Sequence, residues 1–209
     1  PTALTYPGSM VIMDTKGEIA AVTARARREM GQEVVILDPF GGQGDALNPM
    51  EAINPASSDA YDQCKRLARM MNRGVGDQRD PFWDDMAESI ITGSLLFLAT
   101  HIPREDRAMP LLYRMWGVAD HLEEMLACMQ TCELHGGAMV AAAKAYTGAA
   151  DKTSSSILTT IRGHIGFLSS ERARRGLTGG WGLLRRIRSD AASRAGNDPH
   201  GGRGADSPA

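Results

Sequence analysis

Asp14, Lys16, Gly17 and Glu18 fall within five residues, where an apolar run gives way to a helical pattern. Backbone amides at a helix N-terminus attract anions, a neighbouring lysine adds positive charge, and a glycine permits a tight turn. An acid at a strand end can hold Mg²⁺ directly or through water. The set therefore suits a phosphate. It is equally compatible with an ordinary turn closed by a capping acid. Neither GxGxxG nor GxxxxGK[ST] is present, and no Gly-Lys pair occurs to supply a P-loop lysine.

A second group is Asp151, Lys152, Thr153, Ser154, Ser155 and Ser156. Hydroxyls and one lysine at a helix start can contact a phosphate or a DNA backbone. They can also simply cap the helix. Cys128, Cys132 and His135 lie at i, i+4 and i+7, a metal half-site by spacing. Without a second cluster, small thiols and a helix-end histidine are the simpler reading. The five histidines are scattered and form no nucleophile–base pair with Ser or Asp.

The elements that must position these residues divide the chain. Residues 1–44 read as α/β. Two apolar runs, at 9–14 and 33–38, each end on an acid and flank one helical pattern. Two buried-type strands joined by a helix predict a parallel βαβ unit, whose polar strand ends collect at one sheet edge. In the helix, Ile19, Val22, Ala26 and Met30 share the predicted inner face, and Gly31 is the stop. Asp38 ends the second strand, before turn chemistry through residue 44.

Residues 45–172 read as helical throughout. One helix is expected over 59–73, with Tyr61, Cys64, Leu67 or Ala68, and Met71 inward. Asp80 is placed to cap the next, with Pro81 in its first turn. Its wide apolar face, Met86, Ile90, Ile91, Leu95 and Leu98, marks a central bundle helix. Pro110 opens a short helix ending at Gly117. Further helices are expected over 119–134 with Leu122, Met125, Leu126 and Met129 inward, over 138–146, and from Asp151 with Leu158, Ile161, Ile165 and Leu168 inward. Residues 173–209, rich in Gly, Arg, Ser, Ala and Asp, predict a basic, largely disordered tail.

Composition narrows the function classes. The 209 residues are 43% hydrophobic but only 5% aromatic, so Leu, Ile, Ala and 12 Met must fill the core. A formal charge of −2 gives no general case for nucleic acid, although 172–188 holds arginines and no acid. Three cysteines suit a reducing compartment better than a disulfide framework. The longest uncharged apolar stretch, 89–102, falls short of the roughly 20 residues that a membrane span needs.

Taken in order, the landmarks form a pattern. They are the run from Thr5 to Glu18, Val35 to Gly41, Leu47 to Pro49, Asp80 to Trp83, Thr92 with Gly93, Asp151 to Leu158, and Phe167 with Leu168. Over residues 1–172 the chain resembles type IV secretion coupling proteins of the TraG/TraD kind. The resemblance implies a membrane-anchored, hexameric, RecA-like ATPase at the cytoplasmic face of the bacterial inner membrane. Such proteins bring relaxase–DNA complexes or protein substrates to secretion channel components. An all-α domain inserted in the nucleotide domain is implicated in substrate recognition.

On that map, 1–44 is part of the nucleotide domain and 45–172 is much of the all-α domain. Asp14, Lys16, Gly17, Glu18 and Asp38 match positions beside the ATP–Mg²⁺ site. Lys152, Thr153, Ser154 and Ser155 are candidates for substrate contact. The family's membrane helices, P-loop and Walker B strand have no counterpart in these residues. The chain therefore reads as incomplete at both ends and not catalytic by itself. Its tail after Arg172 reads as foreign or frame-shifted sequence. Two alternatives remain open: a nucleotide-independent helical adaptor for relaxase, DNA or effector, and a non-functional gene remnant.

Overall fold

The computed structural model describes residues 2–38, 44–72 and 81–178. Residues 39–43 of the expected turn, Asp80 and the tail from 179 lie outside the described residues. The described part is helical. A short α1 (Thr2–Thr5) and α2 (Glu18–Glu29) precede a bundle of α3 (Ala60–Met71), α4 (Pro81–His101), α5 (Met109–Gly117), α6 (Ala119–Thr131), α7 (Ala138–Thr147) and α8 (Asp151–Ile165). A 3-10 turn over Gly166–Ser169 then leads into α9 (Glu171–Leu177).

The bundle is built around α4. Every residue from Ile90 to Ala99 is buried, as expected for a helix that is apolar on all sides. α3, α7 and α8 surround it, while α5 and α6 close the far side through α7 and α8. α4 and α7 approach closely. A Cβ added to Gly93 would stand 2.3 Å from the Ala142 Cβ, so the missing side chain sets how near the two helices come. Expected inward residues Cys64, Ile90, Ile91, Leu95, Leu98, Met125, Leu126, Met129, Ile161, Ile165 and Leu168 are all buried. In α8 the seam is shifted, with Ile157 fully buried and Leu158 only partly.

Polar bonds lock the helices together. In the core the Trp116 indole N–H of α5 donates to the Ser94 hydroxyl of α4 at 3.1 Å. The Tyr146 ring of α7 meets Trp116 edge-on, with 5.3 Å between centroids. The His164 ring of α8 reaches the Asp84 carboxylate of α4 at 3.1 Å. The backbone N–H of Leu47 donates to the Gly176 carbonyl at 2.8 Å, fastening the start of the helical region to α9.

The expected βαβ unit of a RecA-like fold is not formed. Among the described residues there is no strand. The only pairing near the two apolar runs is an isolated parallel bridge between Leu37 and Asp45. The physical reason is burial. A parallel pair needs both faces covered and gains little as two strands alone. Here the first run is open to solvent among the described residues: Val11 is 103% exposed and Met13 91%.

The expected inner face of α2 is also turned out. Ile19, Val22 and Met30 are exposed, while Thr23, Ala24 and Arg27 are buried. Arg27 decides this orientation. Its guanidinium donates to the Tyr6 carbonyl and, at 2.9 Å, to the Gly8 carbonyl, so this side of α2 faces the N-terminal segment. Gln32 adds a bond to the Pro7 carbonyl at 2.8 Å.

Candidate functional site

The turn over 14–18 is a compact polar device. Gly17 sits at φ 74°, a left-handed conformation that a side chain would strain, and forms the N-cap of α2. Asp14 Oδ2 accepts the Ala20 backbone N–H at 2.8 Å. That bond, with the amides of Lys16, Gly17 and Ile19, holds the carboxyl below its ordinary range against the opposing effect of desolvation. Asp14 thus does for α2 what a bound anion would do, accepting otherwise orphaned amides. The Lys16 and Glu18 side chains are exposed on the same turn.

For ATP–Mg²⁺ the fit is partial. An ionised acid, an exposed lysine and a permissive glycine suit the rim of a phosphate site. The amides that would cradle a phosphate are already bonded to Asp14. Asp38 lies outside this turn, beyond the Gly31 reversal. There Asp45 grips the neighbouring Ile36 twice, its N–H donating to the Ile36 carbonyl at 2.7 Å and its carboxylate accepting the Ile36 N–H at 2.9 Å.

The second candidate group is on α8, in the bundle. Ala150 is the N-cap, and no side chain caps the helix. The hydroxyls turn back instead. Ser154 and Ser155 donate to the Asp151 carbonyl at 3.1 and 2.8 Å, and Ser156 donates to Lys152 at 3.0 Å. Thr159 and Thr160 continue the ridge onto Ser155 and Ser156. Their protons are committed inward, so the exposed ridge offers mainly oxygen lone pairs, with the exposed Lys152 beside them. A phosphate would need a hydroxyl to leave its carbonyl. Thr153 is partly buried on this first turn.

Two polar clusters had no motif to announce them. Arg162 donates through Nε and Nη2 to the Trp116 carbonyl, at 3.2 and 3.1 Å. It borders a cavity of about 370 Å³ lined by Tyr113, Gly117, Ile165, Gly166 and Ser169. Its place between the buried Ile161 and Ile165 was the one available signal. At the other cluster, Arg107 is buried beside Cys64, and its carbonyl accepts the Asn48 side-chain amide at 2.6 Å. Burial pushes the Cys64 thiol up to about 12 and raises the Glu51 carboxyl, which Arg104 partly offsets. Cys128 is exposed and Cys132 partly so, and no metal-spaced group occurs among the described residues.

The family described as "Type IV secretory system Conjugative DNA transfer" matches residues 1–180. The chain belongs to that family. The match takes in the Asp14 turn, the whole helical bundle and α9, and so continues past Arg172. Among relatives of this conjugative DNA transfer chain is the conjugal transfer protein TraG of Agrobacterium fabrum. It is 27% identical over 114 residues, covering 52% of this chain and 17% of that protein. TraG of Escherichia coli is 30% identical over 98 residues, 46% of this chain and 15% of that protein. Protein VirD4 of Rhizobium radiobacter is 27% identical over 106 residues, 49% and 15% respectively. The conjugative transfer chain thus spans less than a fifth of the relatives it matches. No solved structure matches it. No described helix is long and apolar enough to cross a membrane.

Proposed function

We propose that this chain is part of a coupling protein of conjugative DNA transfer, in which the helical bundle engages the transferred substrate. The observation that carries this reading is the family match over 1–180, which includes the complete bundle. The cargo is a relaxase–DNA complex or a secreted protein, handed to components of the secretion channel at the bacterial inner membrane. Lys152, Thr153, Ser154 and Ser155 are the substrate-facing group on α8. Asp14, Lys16, Gly17 and Glu18, with Asp38 from outside that turn, contribute to an ATP–Mg²⁺ site of a hexameric assembly.

Hydrolysis requires phosphate cradling, Mg²⁺ and an oriented water together. A rim alone supplies none of these in full, so residues 1–209 by themselves are expected to show no ATP turnover. Turnover abolished by Lys16→Ala would refute that assignment. Retention of relaxase–DNA complexes by the purified chain, weakened by Lys152→Ala, tests the substrate role; wild-type and variant retention that are equal would remove it.

One observation favours a second reading, a helical adaptor that uses no nucleotide. The α2 amides are occupied by Asp14, so the turn is complete without a phosphate. Calorimetry with ATP–Mg²⁺ separates the two: binding that Asp14→Asn alters supports the rim, and no heat at millimolar nucleotide supports the adaptor.

A further inference from the structure

The cavity beside Arg162 is walled by three parts of the fold. Tyr113 and Gly117 come from α5, Arg162 and Ile165 from α8, and Gly166 and Ser169 from the turn that follows. Gly117 and Gly166 contribute no side chain, and a Cβ at either would meet nothing within 4 Å. The cavity volume, about 370 Å³, is that of a side chain or two rather than of a long track.

Arg162 is already oriented in this cavity. Its two bonds to the Trp116 carbonyl fix the guanidinium plane and leave Nη1 without a further hydrogen bond among the described residues. A planar fork held in this way suits a carboxylate. The Tyr113 and Ser169 hydroxyls can donate to the same anion.

The neighbouring elements are rich in arginine. α9 packs on both α5 and the 166–169 turn, and it carries Arg172, Arg174 and Arg175. Arg114 is exposed in the last turn of α5. Glu171 is the acid of α9, and it pairs with Arg175 at 2.6 Å. An oriented guanidinium in a small concave pocket, on a face whose neighbouring elements carry further arginines, favours an anionic group on a projecting side chain. A single-stranded nucleic acid would instead require successive stacking surfaces, and Tyr113 is the one ring in the lining.

We propose that the cavity between α5, α8 and the 166–169 turn docks an acidic peptide segment of a partner protein, with a carboxylate seated on Arg162. This names a partner chemistry for a surface separate from the Asp14 turn and from the Lys152 ridge, so it stands or falls apart from the nucleotide assignment.

The test uses the whole chain and fluorescein-labelled hexaglutamate at low salt, read by anisotropy, with hexaglutamine and decathymidylate alongside. Hexaglutamate is expected to bind saturably and hexaglutamine not to bind. Arg162→Gln should weaken binding about tenfold, the effect of losing one charge-assisted pair. Ser169 is exposed, so Ser169→Glu leaves the fold intact and places a repelling acid at the rim; it should weaken binding at least as much. No hexaglutamate binding by the wild-type chain overturns the proposal, as does unchanged binding in Ser169→Glu. Decathymidylate that binds more tightly than hexaglutamate, and is lost in Arg162→Gln, overturns it in favour of nucleic acid.

Discussion

Gly93→Ala is a substitution that helix propensity alone would predict to be stabilising. Replacing a mid-helix glycine by alanine gains about 1 kcal/mol in an exposed helix. At Gly93 the new methyl would stand 2.3 Å from the Ala142 Cβ and 3.2 Å from the Met129 Cε. Carbon atoms are comfortable near 3.5–4.0 Å. The Met129 terminus can swing aside, but the Ala142 methyl has no torsion to relieve the clash. α4 and α7 must therefore separate by about 1 Å or more over a tightly packed seam. Overpacking of this kind costs about 1–3 kcal/mol, and the lost close packing on either side places this case at the upper end.

Subtracting the propensity gain leaves a net loss of about 2 kcal/mol, or roughly 5 °C in Tm for a domain of this size. Urea unfolding followed by circular dichroism measures it, and Ala142→Gly in the same chain should recover most of the loss. A Gly93→Ala chain as stable as the wild type would refute the α4–α7 contact itself.

The remaining predictions address the polar groups. Ser94→Ala leaves the buried Trp116 indole N–H without its acceptor and should cost about 1–3 kcal/mol in the same urea experiment. With a maleimide at pH 8, the exposed Cys128 should react at once, while Cys64 reacts only as fast as the bundle opens. Because the Cys64 thiol is raised from 9.0 to about 12 in the folded chain, its contribution to stability is full below pH 9 and falls as pH rises toward 12. Cys64→Ala should flatten that alkaline decline. Asp14 has the opposite sign: its folded pKa is depressed, so its contribution is present above the ordinary carboxylate range and is lost as pH falls through the depressed value. The Ala20 amide shift, followed by NMR, should titrate in that acid window and cease to do so in Asp14→Asn.

The bundle was legible because its signals are local and redundant. Ile90, Ile91, Leu95 and Leu98 mark one helix by spacing alone, and Pro110 and Gly117 bracket another. The N-terminal region was not, because a strand is defined by its neighbour. Met10, Val11, Ile12 and Met13 have the composition of a buried strand, yet pairing depends on partners that sequence periodicity does not reveal. For α2 the deciding element is Arg27, whose guanidinium turns inward to bind the Tyr6 and Gly8 carbonyls, a long-range pairing that the apolar spacing of Ile19, Val22, Ala26 and Met30 does not reveal. The Asp14 turn was found from its residue types, but its internal bonding was not, since either a phosphate or Asp14 itself could satisfy the same amides. The Arg162 cavity went unseen because its walls come from positions 113, 162 and 169, which share no motif.

The hydroxyl ridge of α8 has a consequence for the order in which the bundle loosens. Serine and threonine are modest helix formers, and their back-bonds to preceding carbonyls compete with the helical ladder. The first turns of α8 hold Ser154, Ser155, Ser156, Thr159 and Thr160 in this way, with no side-chain cap at the N-terminus. What retains them is Ile157 and Ile161 beneath, seated against the core. Amide hydrogens of this segment should therefore exchange well before those of α4, through openings much smaller than global unfolding. The hydroxyl ridge is then a part of the bundle that opens at low cost, while the Gly93 seam stays closed.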